Sequence, residues 1–196
     1  MSGVDRPVPA DAERLSSPEV DSEVRVLRPP EYVEIDRPVI FLAGPVSGAP
    51  SWHRAAEEYV ASTAFAGEVI VANPNTDMGS AEMTHAERTD WESGHLNLAG
   101  EQGAVMFWLP NQAESLKEGK DYAQTSRFEI GEWMVRASQG ASVVLGIEEG
   151  FKDASYIRRR FSQNCPEVTI QETLNATCAE ALLMSRARFQ AVRERS

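Results

Sequence analysis

Residues 39–43 read VIFLA, and residues 44–51 continue GPVSGAPS before a helical pattern at about 51–65. The apolar run predicts a buried strand, which Gly44 and Pro45 end abruptly. Open α/β sheets bind ligands where a buried strand opens through a glycine-containing loop into a helix, because backbone N–H groups are exposed there. The loop at 44–51 is therefore the first candidate binding site.

Composition narrows the possible classes of function. The 196 residues are 42% apolar, which is enough for one substantial core. The net charge of −11 should repel phosphate-rich polymers and anionic membranes, so neither nucleic-acid polymers nor membranes are expected partners. Cys165 and Cys178 have no CxxC or framework spacing, which predicts thiols in a reducing compartment, the cytoplasm. No apolar run approaches the roughly 20 residues that cross a bilayer, and no signal-peptide core is present.

Domain organisation follows from local composition. Residues 1–22 are rich in Pro, Ser and acidic side chains and poor in large apolar groups, which predicts a disordered arm. Residues 23–196 predict a single domain. Residues 23–27 alternate like a short edge strand, and residues 32–35 alternate again before the strand at 39–43.

The remainder alternates apolar runs with amphipathic segments. We predict strands at 68–72, 104–109, 142–147 and 167–170, and helices at 89–99, 127–139, 153–163 and 173–194. Continuous apolar strands such as 105–109 fit a parallel sheet that is covered on both faces. The fold class is therefore α/β, and the strand number favours a flavodoxin-like, doubly wound parallel sheet of about five strands with helices on both faces.

Three loops follow strand ends and should share one edge of such a sheet: 44–51, 73–87 and 110–127. The last two are longer than the usual connection of about 2–6 residues, which favours a functional role. The first loop fits neither the dinucleotide fingerprint nor the Walker A pattern. It is either a simple turn with Ser51 capping the next helix, or a loop whose glycines let a ligand approach closely.

Thr89 and Glu92 have the spacing of a capping box at a helix start. Capping could explain the motif entirely, and the spacing alone favours that interpretation. The functional alternative is that Asp90 or Glu92 accepts a hydrogen bond from a ligand hydroxyl or donates a proton.

Ser126 and Glu129 repeat the capping-box spacing before the helix at 127–139. A carboxylate in the first turn of that helix, beside its N-terminus, should remain ionised and could serve as a nucleophile. In that interpretation Gly131 would let the helix approach the sheet closely.

The sequence gives weaker evidence for metal binding and for aromatic stacking. His53, His85 and His95 lack the pairing and the thiolate neighbours of a zinc site, so we predict no metal. The acidic balance and the absent dinucleotide and Walker patterns predict that activity needs no redox cofactor either. The four tryptophans lie near loop junctions, where core packing is the default role. Trp91 and Trp108 are the better candidates for stacking on a heteroaromatic ring.

Four short segments occur in order along the chain: IFLAGP at 40–45, DWE at 90–92, FWLP at 107–110 and FEIGE at 128–132. Together they resemble the nucleoside 2-deoxyribosyltransferase-like family, in its branch with a FLAGP-type first loop, over roughly residues 24–150. The resemblance implies cleavage of the N-glycosidic bond of a nucleoside or nucleotide through a covalent glycosyl–enzyme intermediate.

The resemblance also implies residue roles. Glu129 would be the nucleophile, and the loop at 44–48 would form one wall of the pocket. The family often carries an aspartate six residues before the nucleophile, where this chain has Ala123, and often has Pro-Arg where this chain has Pro-Asn111. A retaining displacement still needs a proton for the departing base, which Asp90, Glu92 or Asp121 could supply.

We therefore expect catalytic roles for Glu129, Asp90 and Glu92. The residues expected to bind substrate lie at the predicted sheet edge: Gly44, Pro45, Ser47, Gly48, Trp52, Asp77, Trp91, Trp108, Asn111, Thr125 and Ser126.

The expected activity is that of a 2-deoxyribosyltransferase or an N-glycosidase acting on a small-molecule nucleoside or nucleotide. A non-catalytic nucleotide-binding protein that keeps the fold is the alternative. The resemblance also implies a homodimer or larger oligomer whose subunits complete the base pocket. The helix at 173–194 offers apolar residues for packing within or between chains: Leu174, Ala181, Leu182, Met184 and Phe189.

Overall fold

The structure of the protein is a computed structural model that describes residues 23–75 and 83–195. The predicted arm at 1–22 and the candidate residue Asp77 lie outside these residues. The described chain forms one sheet of six parallel strands flanked by five helices. The predicted flavodoxin-like, doubly wound α/β fold is confirmed.

The elements follow one another as strand and helix along most of the chain. In order they are β1 (Arg25–Leu27), β2 (Val39–Ala43), α1 (Trp52–Ala61), β3 (Ile70–Ala72), α2 (His85–Gln102), β4 (Ala104–Leu109), α3 (Gln124–Ser138), β5 (Val143–Ile147), α4 (Ala154–Asn164), β6 (Ile170–Gln171) and α5 (Leu174–Arg193). The strand order is β1-β3-β2-β4-β5-β6. The winding direction reverses between β2 and β4, and such a reversal opens a crevice at the carboxyl edge of a sheet.

The sixth strand is the edge element β1, which pairs in parallel with β3. Residues 32–35, whose alternation suggested a further strand, form none. Val33 and Ile35 nevertheless pack against the core. The segment therefore contributes apolar side chains to the core without joining the sheet.

Two apolar cores lie on the two faces of the sheet. Along β2, Phe41 and Ala43 pack into the core beneath α2, α3 and α4, whereas Ile40 and Leu42 pack beneath α1 and α5. This alternation follows from the strand geometry, in which successive side chains point to opposite faces. A strand residue can therefore reach a ligand between α2 and α3 only if its side chain points to the face of the sheet that these helices cover.

Helix α2 begins earlier than predicted. Its N-cap is Thr84, whose hydroxyl accepts a hydrogen bond from the Glu87 backbone N–H at 3.2 Å while the Glu87 carboxylate accepts one from the Thr84 backbone N–H at 2.8 Å. The predicted capping box of Thr89 and Glu92 is therefore wrong, because Thr89 lies inside the helix and donates to the His85 carbonyl. The two boxes have the same spacing, and the earlier one starts a longer helix.

The predicted capping box of Ser126 and Glu129 is also wrong. Helix α3 follows Ala123, which adopts a left-handed conformation at φ 57°, and begins at Gln124. Glu129 is consequently the sixth residue of the helix and lies in its second turn. Ser51 occupies the N-cap position of α1, but its side chain forms no capping hydrogen bond.

Four of the five apolar residues that the sequence analysis noted on α5 pack within the chain, and the fifth, Phe189, lies outside the core clusters. Ala181 and Leu182 are buried in the core beneath α1 and α5, and Leu174 and Met184 pack against them. Within the described chain, none of the helices combines the length and apolarity that a membrane crossing requires.

Candidate functional site

A cavity of about 690 Å³ opens at the carboxyl edge of the sheet. Its floor includes Phe41 and Ala43 from the end of β2, and its walls include Gly44, Pro45 and Ser47 from the first loop. The N-terminal halves of α2 and α3 flank it. The location agrees with the prediction from the first loop, since all these elements meet where the parallel strands end.

Helix α2 turns one face toward the cavity. The residues on this face are spaced three or four apart or by multiples of one turn: His85, Arg88, Thr89, Glu92 and Leu96. Asp90 lies between these positions and is exposed, and it does not line the cavity. Of the two acidic candidates on this helix, the structure therefore brings Glu92 and not Asp90 into the cavity.

Helix α3 contributes its first two turns. Thr125 and Ser126 line the cavity together with Glu129, which follows them by four and three positions on the same helix face. Asp121 and Ala123 line it just before the helix starts. Four of the residues predicted from the E-x-G segment and its approach are therefore grouped in one cavity.

The surroundings of Glu129 change the pKa of its carboxyl group. Burial, the nearby Glu92 and, to a lesser extent, Glu132 raise the pKa of Glu129 to about 7. The carboxylate is therefore only partly ionised near neutral pH in the ligand-free protein, rather than fully ionised as the helix position predicts. The favourable field of a helix N-terminus is concentrated in the first turn, and Glu129 lies one turn further on, so burial and repulsion prevail.

Glu92 is perturbed in the same direction. Burial raises the pKa of its carboxyl group, although the positive charges of Arg88 and His85 oppose the change. The charge of Glu92 in turn raises the pKa of Glu129, and two carboxyl groups that interact in this way titrate as a pair. Near neutral pH the two carboxyl groups are therefore partly protonated as a pair. In this state one group can act as an acid while the other acts as a base.

The first loop depends on Gly44 for its shape. Its φ of 150° suits glycine, and a Cβ atom there would collide with the carbonyl oxygen of Trp108. The indole N–H of Trp52 donates to the Pro45 carbonyl at 2.8 Å and fixes the next residue. Trp52 is buried and lies outside the cavity, so it positions the loop without lining the site.

Gly48 joins two loops. Its carbonyl accepts hydrogen bonds from the backbone N–H groups of Ala113 at 2.8 Å and Glu114 at 3.1 Å. At φ 75°, an added Cβ would lie 2.8 Å from a methyl carbon of Leu116. The glycine is therefore required for contact between loops, and it does not itself line the cavity.

Asn111 anchors the third loop. Its backbone N–H donates to the Glu148 carboxylate at 2.6 Å, and its side-chain amide donates to the Glu149 carbonyl at 2.7 Å. At the other end of the loop, the Tyr122 hydroxyl donates to the Pro110 carbonyl at 2.9 Å. Asn111 does not line the cavity. It fixes the base of the loop that carries Leu116, Lys120 and Asp121 to the cavity.

The second loop is shaped by a polar network that the sequence analysis missed. Glu57 accepts two hydrogen bonds from Arg28, at 2.6 and 2.7 Å, and one from the Asn73 side chain at 2.6 Å. The Asn73 side-chain oxygen accepts from the Asn75 backbone N–H at 2.8 Å. This turn brings Pro74 and Asn75 to the cavity wall. An asparagine before proline is a turn signal that could have indicated it.

Neither known family models nor curated proteins match this chain. The resemblance to the nucleoside 2-deoxyribosyltransferase-like family therefore stays a prediction.

Two predicted stacking residues lie away from the cavity. Trp108 belongs to the core beneath α1 and α5, because it alternates in β4 with Phe107, which faces α2 and α3. Trp91 is fully buried, and its indole N–H donates to the Glu31 carbonyl at 2.7 Å. Neither indole lines the site.

Gly131 does not have its predicted role. An added Cβ there would meet no atom within 4 Å, so the glycine permits no closer approach of α3 to the sheet. Gly100 on α2 is the glycine that allows close packing, since its Cβ would lie 2.6 Å from the ring of Trp133.

The described residues contain no group of three His, Cys, Asp or Glu side chains arranged to hold a metal ion.

Proposed function

We propose that the protein cleaves or transfers a glycosyl group at the N-glycosidic bond of a nucleoside or nucleotide. The observation that supports this most strongly is the pair of perturbed carboxyl groups, Glu92 and Glu129, which line one cavity from two different helices. Retaining glycosidic chemistry requires one carboxylate as nucleophile and one carboxylic acid as proton donor.

The reactive state carries one proton on the pair, with Glu92 protonated and Glu129 ionised. A carboxylate oxygen of Glu129 attacks C1′ of the sugar and forms a C–O bond. The C1′–N bond breaks, and its electron pair goes to the base nitrogen, which receives the proton of Glu92. The transition state favours this arrangement, because the partial positive charge that develops at C1′ as the C1′–N bond breaks stabilises an ionised Glu129.

The second half of the reaction releases the enzyme. Water or the nitrogen of an incoming base attacks C1′, and the bond to Glu129 breaks with its electron pair returning to the carboxylate. Glu92, now ionised, takes the proton of the attacking group. The two outcomes, hydrolysis and transfer, differ in how well the occupied cavity excludes water.

Glu92 answers the need for an acid where the family pattern has an aspartate and this chain has Ala123. Ala123 lines the cavity and offers only a methyl group. Glu92 lines the same cavity from α2, and burial raises the pKa of its carboxyl group, which favours the protonated form that a general acid needs.

The function is tested by incubating the purified protein with a panel of nucleosides and nucleotides, with and without an acceptor base, and separating the products by chromatography. Free base alone indicates hydrolysis, and a new nucleoside indicates transfer. Glu129→Gln should abolish either product, whereas Glu132→Gln, an exposed glutamate one turn away that pairs with Arg136 at 2.7 Å, should keep activity. Binding without any turnover by the wild type would instead favour the non-catalytic nucleotide-binding alternative.

Assembly into a homodimer or larger oligomer and a cytoplasmic location stay predictions within this proposal. Both cysteines are free and buried, Cys165 in the core beneath α2 to α4 and Cys178 in the core beneath α1 and α5. They lie on opposite faces of the sheet and cannot pair with each other, which is compatible with a reducing compartment.

A further inference from the structure

We infer that Arg88 and Lys120 form an anion-binding subsite in the cavity and that the substrate carries a phosphomonoester on its sugar. The inference rests on the proposed function and specifies its substrate class as a nucleoside monophosphate, in preference to a free nucleoside.

Arg88 is the first observation. It lines the cavity from α2, and its Nε atom is buried without a hydrogen-bond partner. Across residues 23–75 and 83–195, no carboxylate lies within ion-pair distance of its guanidinium group. Leaving a guanidinium donor buried and unpaired costs free energy, and a bound anion would remove that cost.

The second observation concerns Lys120, which lies in the third loop and not on α2. It lines the same cavity from the third loop, and its ammonium group also forms no ion pair with any described residue. Asp121 follows it in the cavity lining. Cations from two elements that converge on one cavity are typical of a phosphate site, because a phosphomonoester carries up to two negative charges.

The arrangement along α2 orients the ligand. Arg88 precedes Glu92 by about one helical turn, or roughly 6 Å along the axis, on the same face. Helix α2 starts at the carboxyl edge of the sheet and runs back along it, so Arg88 lies nearer the mouth and Glu92 nearer the floor. A sugar between them places its reacting carbon at the carboxyl pair and its phosphate at the cations.

The net charge of −11 restricts the kind of anion. A protein with this charge repels nucleic-acid polymers at long range, but a local pair of unpaired cations can still bind one small dianion. The subsite therefore suits a monomeric nucleotide.

The inference is tested by isothermal titration calorimetry at constant low ionic strength with ribose 5-phosphate, 2-deoxyribose 5-phosphate and the two free sugars. The variants are Arg88→Gln, Arg88→Lys and Lys120→Gln. The matched controls remove an equal charge outside the cavity: Arg54→Gln, from an exposed pair with Glu58, and Lys117→Gln, from the same loop as Lys120.

We expect at least one sugar phosphate to bind the wild type more tightly than its free sugar. Arg88→Gln and Lys120→Gln should each weaken sugar phosphate binding by roughly tenfold to a hundredfold, with Arg88→Lys less affected. Binding of the free sugars and of both control variants should not change. If Arg88 served only to tune Glu92, the preference for the phosphorylated sugar would survive Arg88→Gln, and the inference would be overturned.

The titration requires no turnover, so it is independent of the proposed chemistry. Sugar phosphate binding that depends on Arg88, without cleavage of any nucleotide, would support the subsite and contradict the proposed function. Cleavage of nucleosides with no preference for their monophosphates, and with Arg88→Gln fully active, would support the function and overturn the subsite.

Discussion

Two open cavities of similar size lie at opposite edges of the sheet, and their charged side chains are arranged differently. The cavity at the amino edge, about 800 Å³, lies between the segment before β2 and the end of α5. There Arg37 pairs with Asp36 at 3.0 Å, and Arg186 pairs with Glu68 at 2.8 Å and covers the Phe65 ring at 3.9 Å. Most of its charge is neutralised locally.

In the cavity at the carboxyl edge, about 690 Å³, the described charged side chains do not form ion pairs with one another. None of the ion pairs among the described residues includes Arg88, Glu92 or Glu129. Desolvated charges without partners destabilise a fold, so their retention in one cavity indicates a function there. Cavity volume does not distinguish the two edges, whereas the pairing of charges does.

The largest effect is expected when the proposed acid, Glu92, is removed from the carboxyl-edge cavity. Glu92→Gln removes the proton that the departing base needs, so kcat should fall by about 10²- to 10⁴-fold and the alkaline limb of its pH profile should disappear. A substrate with a leaving group that departs without protonation should restore most of the rate. Asp90→Asn, an exposed change on the same helix, is the control, and equal losses in both variants would contradict the role of Glu92.

A smaller effect is expected from the network beneath the second loop. Asn73→Ala removes the donor to Glu57 and the acceptor for the Asn75 backbone N–H, so it should destabilise the protein by about 1–3 kcal/mol and raise KM more than it lowers kcat. Chemical denaturation and steady-state kinetics measure the two effects. Asn97→Ala, at an exposed asparagine bonded to Arg136 at 2.7 Å, should cost about 0.5 kcal/mol or less. An unchanged KM in Asn73→Ala would separate the network from the site.

The third prediction concerns stability and pH. The folded-state pKa of Glu129, about 7, lies above the ordinary glutamate value of 4.5, so the folded protein loses stability as pH rises through this interval. Glu129→Gln removes the ionisation and should therefore be more stable than wild type by about 1–2 kcal/mol at pH 8, with no gain near pH 4.5. Denaturation at both pH values measures the difference. A variant less stable than wild type at pH 8 would refute the electrostatic cost.

The smallest effect is expected at the amino edge. Glu68→Gln breaks an ion pair whose side chains are 36% and 45% exposed, and such pairs contribute about 0–1 kcal/mol. Arg186 keeps its contact with the Phe65 ring, so stability should change by about 0.5 kcal/mol or less, and kcat/KM should stay at the wild-type value. A clear loss of activity would mean that the amino-edge cavity takes part in function.

The sequence was sufficient for the sheet, because apolar runs such as residues 39–43 and 105–109 leave little choice of structure or burial. The sequence was also sufficient to predict that the first loop and Glu129 lie at the same edge of the sheet. The number of strands was less certain, since the pairing of the three-residue β1 with β3 depends on contacts distant in sequence.

The composition of the α2 wall could not be predicted once the helix start was misplaced. With the start at 89, His85 fell in the second predicted loop at 73–87 and Arg88 lay before the predicted helix, so the helix face shared by Arg88 and Glu92 was not visible. Trp108 was misplaced for a different reason. Its position beside the loop is correct, but its parity in β4 turns the indole to the opposite face of the sheet.

The central claim is that Glu129 forms the covalent intermediate, and trapping this intermediate tests the claim most directly. A 2-fluorinated nucleoside or nucleotide analogue with a good leaving group slows breakdown of the glycosyl–enzyme. Cleavage after Arg127 and Arg136 releases residues 128–136, and fragment ions separate Glu129 from Glu132 within this peptide.

The account predicts one glycosyl group per chain, attached to Glu129, together with no labelling of the Glu129→Gln variant. A label on Asp90 or Glu92, in the peptide spanning 89–117, or stoichiometric labelling of Glu129→Gln, would contradict the assignment of the nucleophile.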